Sequence, residues 1–156
     1  MDKDFWKNEK KKTAREVLIV DGYVDEPSLL GVPPYISPEP RFLAGVAEEE
    51  SLDWEYITAD EYRENGLPRA ETVLVHGGVT VPGTYLSGTP LDPKEAEEVG
   101  RAPGETLLGG PLARYAEVDG YDHYVEKDLA AYFHDLLQGN ARDRWMNTEE
   151  RERWST

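Results

Sequence analysis

Three short apolar runs in this chain each stop in glycine. They end at Asp21-Gly22, at His76-Gly77-Gly78 and at Gly109-Gly110-Pro111. Glycine takes positive φ without strain and lets a ligand approach main-chain N–H groups closely. A Gly-Gly pair after a buried strand therefore suits a small-molecule binding loop. It equally suits a tight strand-to-helix turn that needs glycine for geometry alone. Asp21, Gly22, His76, Gly77, Gly78, Gly109, Gly110 and Pro111 are the candidate cofactor-binding residues. Two chemistries are open to His76 at a strand end, metal ligation and proton transfer, beside the plainer role of bonding loop carbonyls. Tyr23, Asp25, Glu26 and Tyr35 follow in the long first loop and are the candidate substrate contacts. Asp21, Asp25 and Glu26 could bind a cation or a ligand hydroxyl, or shape turns through their own backbone. Tyr35 could wall a site or pack in the core.

Other chemistry is missing. The chain has neither GxxxxGK[ST] nor GxGxxG, which disfavours ordinary nucleotide hydrolysis and dinucleotide binding. It has no cysteine, which excludes disulfides, thiolate zinc sites, iron–sulfur clusters and cysteine nucleophiles. The three histidines, His76, His123 and His134, do not fall at metal-motif spacing. No acid–base pair or nucleophile stands out. The expectation is a chain with no catalytic residue and no metal ligand of its own.

The elements that must position these loops are legible in the apolar pattern. Glu16 to Tyr23 and Thr72 to Gly78 are short apolar runs closing in glycine, as expected of strands buried on both faces of a parallel sheet. Glu105 to Pro111 gives the pattern a third time. Leu52 to Thr58 alternates apolar and polar residues and suits a strand nearer the sheet edge. His123 to Glu126 is a fifth strand. Helices are predicted over Arg41–Glu49, with Phe42, Leu43, Val46 and Ala47 inward, and over Ala59–Asn65. A third starts at Asp92-Pro93 and ends by Gly100. The fourth is capped by Asp128, buries Leu129, Tyr132, Phe133, Leu136 and Leu137, and stops at Gly139. A last one starts at Asn147 with Glu150 completing a capping box. Gly109 to Arg114 reads as a loop. Strands alternating with helices predict an α/β doubly wound parallel sheet. Right-handed crossovers gather all strand carboxyl ends on one edge, where ligands of open α/β folds bind.

The length of 156 residues suits one domain over residues 15–140, preceded by a flexible N-terminal tail over 1–14 and followed by a helical segment over 141–156. A net charge of −15 argues against nucleic acid, whose phosphates need a basic patch. After Lys12 only Lys94 and Lys127 remain, a Lys-poor acidic surface that high salt would favour by screening self-repulsion. No apolar run is long enough to span a membrane, and Met1 to Arg15 has no apolar core of a secretory signal. A cytoplasmic location is the resulting expectation.

The long first motif carries a resemblance. Asp21-Gly22-Tyr23-Val24-Asp25-Glu26-Pro27 with Leu30-Gly31-Val32-Pro33-Pro34-Tyr35-Ile36-Ser37-Pro38 resembles the opening of a group of archaeal radical SAM proteins. These carry a cobalamin-binding-like domain before their catalytic barrel. Leu107-Leu108-Gly109-Gly110-Pro111 is similar to the fourth strand and loop of that domain. The resemblance covers roughly residues 16–137. It implies a flavodoxin-like five-stranded sheet of order 2-1-3-4-5 with flanking helices. It also implies that Gly109, Gly110 and the His76-Gly77-Gly78 loop border a cobalamin nucleotide tail. The DxHxxG signature of cobalamin proteins is absent from the first loop, which has no histidine. The CxxxCxxC of the radical SAM cluster is absent too, so an iron–sulfur cluster and S-adenosylmethionine would belong only to a separate catalytic domain.

Three functions follow as expectations. The chain is a cofactor- or substrate-binding accessory domain of a radical SAM protein, not catalytic by itself, whose partner is the radical SAM barrel of the same parent chain. Alternatively it is a stand-alone small-molecule or nucleotide-binding module, or a protein-interaction domain that has lost its ligand. Trp145, Met146 and Trp154 lie in a polar stretch and read either as a docking face or as a final helix packed on the same domain.

Overall fold

A computed structural model describes residues 15–22, 38–78 and 90–155. The expected tail over residues 1–14 lies outside them. The strands are β1 (Arg15–Gly22), β2 (Trp54–Thr58), β3 (Ala70–Gly77), β4 (Glu105–Gly109) and β5 (His123–Tyr124). The helices are α1 (Glu39–Glu49), α2 (Ala59–Asn65), α3 (Pro93–Gly100), α4 (Pro111–Tyr115), α5 (Leu129–Leu137) and α6 (Thr148–Trp154). All strand pairs are parallel, and the sheet order is β2-β1-β3-β4-β5. This is the flavodoxin-like arrangement expected.

Alternation along the strands builds the two layers. Val17 and Ile19 of β1 join Leu74 of β3 and Leu107 of β4 on one face. That face packs against Phe42, Leu43 and Val46 of α1, Leu129 and Phe133 of α5, and Trp154 of α6. Leu18, Val20, Val73, Val75 and Leu108 take the other face, against Ala59 of α2, Ala96 and Val99 of α3, and Leu112 of α4. Both faces are covered. This is why the central strands are near-continuous apolar runs rather than alternating ones.

Local chemistry starts and stops the helices. Asp92 accepts from the Glu95 backbone N–H at 2.7 Å, and the Glu95 side chain accepts from the Asp92 N–H at 3.2 Å. Asn147 and Glu150 form the same reciprocal box at 2.8 and 3.0 Å. Gly139, at φ +87°, follows the end of α5.

Several expectations need correction. The segment from Pro111 is a helix, α4, not a loop. Its five residues are too few for the apolar period to show. Strand β5 keeps two residues rather than four, because Glu126 and Lys127 donate their N–H groups to the Asp143 carboxylate instead of a ladder. Asp128 occupies the N-cap position of α5 as expected, but its side chain makes no capping bond. Its carboxylate accepts from Met146 N–H at 2.6 Å, tying the chain before α6 to the start of α5. Leu137, expected in the buried stripe, is 40% exposed at the last turn of α5.

Residues 141–155 do not leave the fold. Helix α6 lies back on α1, and Trp154 is 0% exposed. Gly45 of α1 makes this possible, since a Cβ there would collide with the Trp154 backbone. Arg144 bridges Asp135 of α5 at 2.8 Å and Glu150 of α6 at 2.7 Å. Its guanidinium holds both carboxyls below the usual carboxylate range.

Candidate functional site at the carboxyl edge

Chain order reverses between β1 and β3, which stand side by side, so their carboxyl ends form the switch point of the sheet. The register places Thr58, Asp21, His76 and Gly109 in one row across β2, β1, β3 and β4. Gly22 and Gly77 are partners one step further on. Gly78 and Gly110 follow their strands, both buried, and Pro111 opens α4. The structure thus gathers Asp21, Gly22, His76, Gly77, Gly78, Gly109, Gly110 and Pro111 on one edge. Tyr23, Asp25, Glu26 and Tyr35 lie outside the described residues.

Most of the space released by the glycines is taken by the chain itself. A Cβ on Gly77 would stand 2.7 Å from Leu112 Cβ of α4, and one on Gly109 would stand 2.8 Å from Leu129 Cβ of α5. The two helices sit tightly on opposite faces of the sheet because these strand ends lack side chains. Gly110 is the most constrained. Its φ is +84°, and a Cβ would lie 2.5 Å from the Gly77 carbonyl oxygen and 2.9 Å from His76 Nδ1. Gly22 accepts the Leu91 N–H at 3.0 Å, which brings the returning chain against the end of β1.

Two polar side chains are buried in the row. Asp21 is 4% exposed and accepts a hydrogen bond from Tyr56 Oη at 2.6 Å. His76 is 5% exposed. Burial, and then the Arg114 guanidinium, bring its pKa down to about 4, so at neutral pH the imidazole is uncharged. It cannot serve as a cationic anchor there.

Sequence reasoning missed Glu39, Arg114 and Tyr56. Glu39 opens α1 at the same edge. Burial, followed by repulsion from Asp128, raises its pKa to about 7, although Arg151 and Arg114 pull it back. A carboxyl titrating near neutrality is suited to proton transfer, a property that clusters at functional sites. Its place after Pro38 in a helix's first turn was visible. The Asp128 beside it, 89 positions along the chain, was not.

Metal-ligating groups are elsewhere. Among the described residues, Glu49, Glu50 and His134 bring ligand atoms within 4.8 Å of one another. They sit at the opposite end of α1 from the glycine loops. Glu49 already binds Arg153 at 2.6 Å and Trp154 Nε1 at 3.1 Å, and Glu50 binds Gln138 at 2.9 Å.

Comparison with known proteins adds length rather than chemistry. The chain is 45% identical over 101 residues to an uncharacterized protein of Archaeoglobus fulgidus, covering 60% of this chain and 18% of that protein. It is 35% identical over 140 residues to an uncharacterized protein of Methanocaldococcus jannaschii, covering 78% of this chain and 26% of that one. The chain therefore spans about a quarter or less of the relatives it matches. No protein-family model matches it. No solved structure matches it.

Proposed function

We propose that this chain is a ligand-binding accessory domain of a longer protein, holding a cofactor or substrate at the carboxyl edge without catalysing a reaction alone. The observation that carries this reading is the convergence of Asp21, His76 and the glycine pairs at the switch point of the sheet. The greater length of both relatives supports a domain working within a larger polypeptide. The resemblance of the first-loop motif makes the larger protein a radical SAM enzyme and its barrel the partner.

Cobalamin is the ligand that resemblance favours, and the edge offers it only part of what it would use. On the resemblance, the glycine loops at Gly77-Gly78 and Gly109-Gly110 would border its nucleotide tail. The one histidine among the described residues of the edge is buried and faces the Gly110 backbone. His76 is therefore assigned no bond to the cofactor.

The test is thermal melting of the chain with hydroxocobalamin, adenosylcobalamin and adenine nucleotides in turn. Ligand at one hundred times its Kd stabilises by about 2.7 kcal/mol, a shift of several degrees. A shift with a corrinoid supports the full reading. A shift with nucleotides alone leaves a binding module and ends the cobalamin part. No shift with either ends both the cobalamin and the nucleotide readings of this edge. Separately, a parent protein lacking CxxxCxxC would end the radical SAM assignment.

One observation favours a second reading, a protein-interaction domain without a ligand. Leu112, Leu129 and the Gly77 carbonyl occupy the space beside the glycines. On this reading Gly77→Val and Gly109→Val lower stability and change nothing else.

A further inference from the structure

We propose that Tyr132 is a base-assisted nucleophile, an acceptor for the acyl group of a small activated donor such as an acyl imidazole or activated ester. Tyr132 lies on α5, His123 on β5 and Glu105 at the start of β4. His123 Nδ1 and Tyr132 Oη are 2.8 Å apart, and His123 Nε2 and Glu105 Oε1 are 2.7 Å apart. A hydroxyl within reach of a base, itself oriented by a third group, is the arrangement that activates side-chain nucleophiles.

Donor and acceptor chemistry fixes the protons in this array. An ionised carboxylate only accepts, so the His123 Nε2–H donates to Glu105. In the neutral imidazole Nδ1 then carries the lone pair, and the Tyr132 Oη–H donates to it. Burial, then Asp143 and Glu105, raise the Tyr132 pKa, so the phenol holds its proton at rest. That proton has to leave during attack, and Nδ1 is placed to take it. The Glu105 charge stabilises the imidazolium that forms. The His123 and Tyr132 rings meet edge to face with centres 5.5 Å apart, which helps hold the base in this orientation.

The step needs no redox partner. Tyr132 Oη bonds to the acyl carbon as its proton passes to His123 Nδ1. The bond from that carbon to the leaving group breaks, and the leaving group takes the proton from Nδ1. The product is O-acyl-Tyr132, with His123 neutral again. Concave surface for a small donor borders the array. Glu105 also lines a surface hollow of about 410 Å³ with Arg69, Ala70, Glu71, Pro103 and Gly104. Only the imidazole of His123 separates that wall from Tyr132 Oη.

Glu105 opens β4 at the end away from the glycine loops, so the inference does not depend on what occupies the carboxyl edge. Acylation of one side chain is a single event rather than turnover, and the melting experiment tests the accessory-domain reading separately. The experiment treats the whole chain with N-acetylimidazole near neutral pH and follows each tyrosine by peptide mass spectrometry. Tyr115, 76% exposed, supplies the comparison with half-buried Tyr132. Exposure alone would make Tyr115 the faster of the two. General-base assistance is worth about 100-fold or more, and lower exposure takes part of it back, so Tyr132 is expected to acetylate about tenfold or more faster than Tyr115. His123→Gln is expected to bring the Tyr132 rate to that of Tyr115 or below, while the Tyr115 rate stays as in the wild type and reports an intact fold. Glu105 acts through His123 as a positioning residue. Glu105→Gln should therefore slow Tyr132, and Glu105→Asp, which keeps the carboxylate, should recover part of the rate. A Tyr132 rate at or below that of Tyr115 in the wild-type chain overturns the proposal, whatever the variants do. A Tyr132 rate unchanged by His123→Gln overturns it as well.

Discussion

Buried titratable groups at the carboxyl edge give the residue scale two opposed pH dependences. Glu39 has its pKa raised from 4.5 to about 7 by burial and by Asp128, so the folded chain holds a proton there that the unfolded chain releases. Stability from this group is present below pH 4.5 and is lost as pH rises through 7. His76 has its pKa lowered from 6.5 to about 4 by burial and by Arg114, so the unfolded chain binds the extra proton. Its contribution is present above pH 6.5 and is lost as pH falls through 4. Urea unfolding from pH 4 to 8 should therefore show Glu39→Gln removing a decline on the alkaline side and leaving the acid decline intact. A His76 imidazole that titrates near 6.5 by NMR would contradict its placement. Gly110→Ala tests the close approach of the β3 and β4 loops. Backbone strain at positive φ costs about 1–3 kcal/mol, before the collision with the Gly77 carbonyl is added.

At the element scale the informative part is α6. Its seven residues could not hold a helix alone in water. Trp154 against α1 and the Arg144 bridge to Asp135 and Glu150 hold it. Trp154→Ala should cost about 3–5 kcal/mol in urea unfolding, the usual range for emptying a core aromatic site. Arg144→Ala should cost about 3 kcal/mol, because two buried carboxylates lose their partner. Losses below 1 kcal/mol for both would mean that α6 is not docked. Of the Trp145, Met146 and Trp154 group, two residues turned out to serve this packing and one faces outward. Helical period placed α1 and α5 correctly, since both span several turns. It could not show α4 or the short β5, whose few residues are shaped by contacts from elsewhere in the chain.

For the whole molecule, net charge is the accessible lever. At −15 the folded chain repels itself, and salt screens that repulsion. The melting temperature should rise from 0.1 M to 2 M KCl, by more than the rise shown by a variant with several surface acids changed to Asn or Gln. Equal rises would assign the effect to general salting-out rather than to charge. The sheet itself gains from the same sequence economy at every strand: two apolar faces, two covering layers and glycine where helix meets strand.

The sequence by itself determined the strands, most helices, their parallel alternation and the edge on which the glycine loops meet. Those features follow from apolar period, caps and chain handedness, which are local or nearly so. The expected order 2-1-3-4-5 came with the family resemblance, and the sheet has it. Only the tertiary structure decided what the glycines are close to. Leu112, Leu129 and the Gly77 carbonyl reach them from positions the sequence does not rank. It also decided which acids titrate near neutrality and which aromatic faces water. Burial and through-space charge set those properties, and both depend on residues distant in the chain.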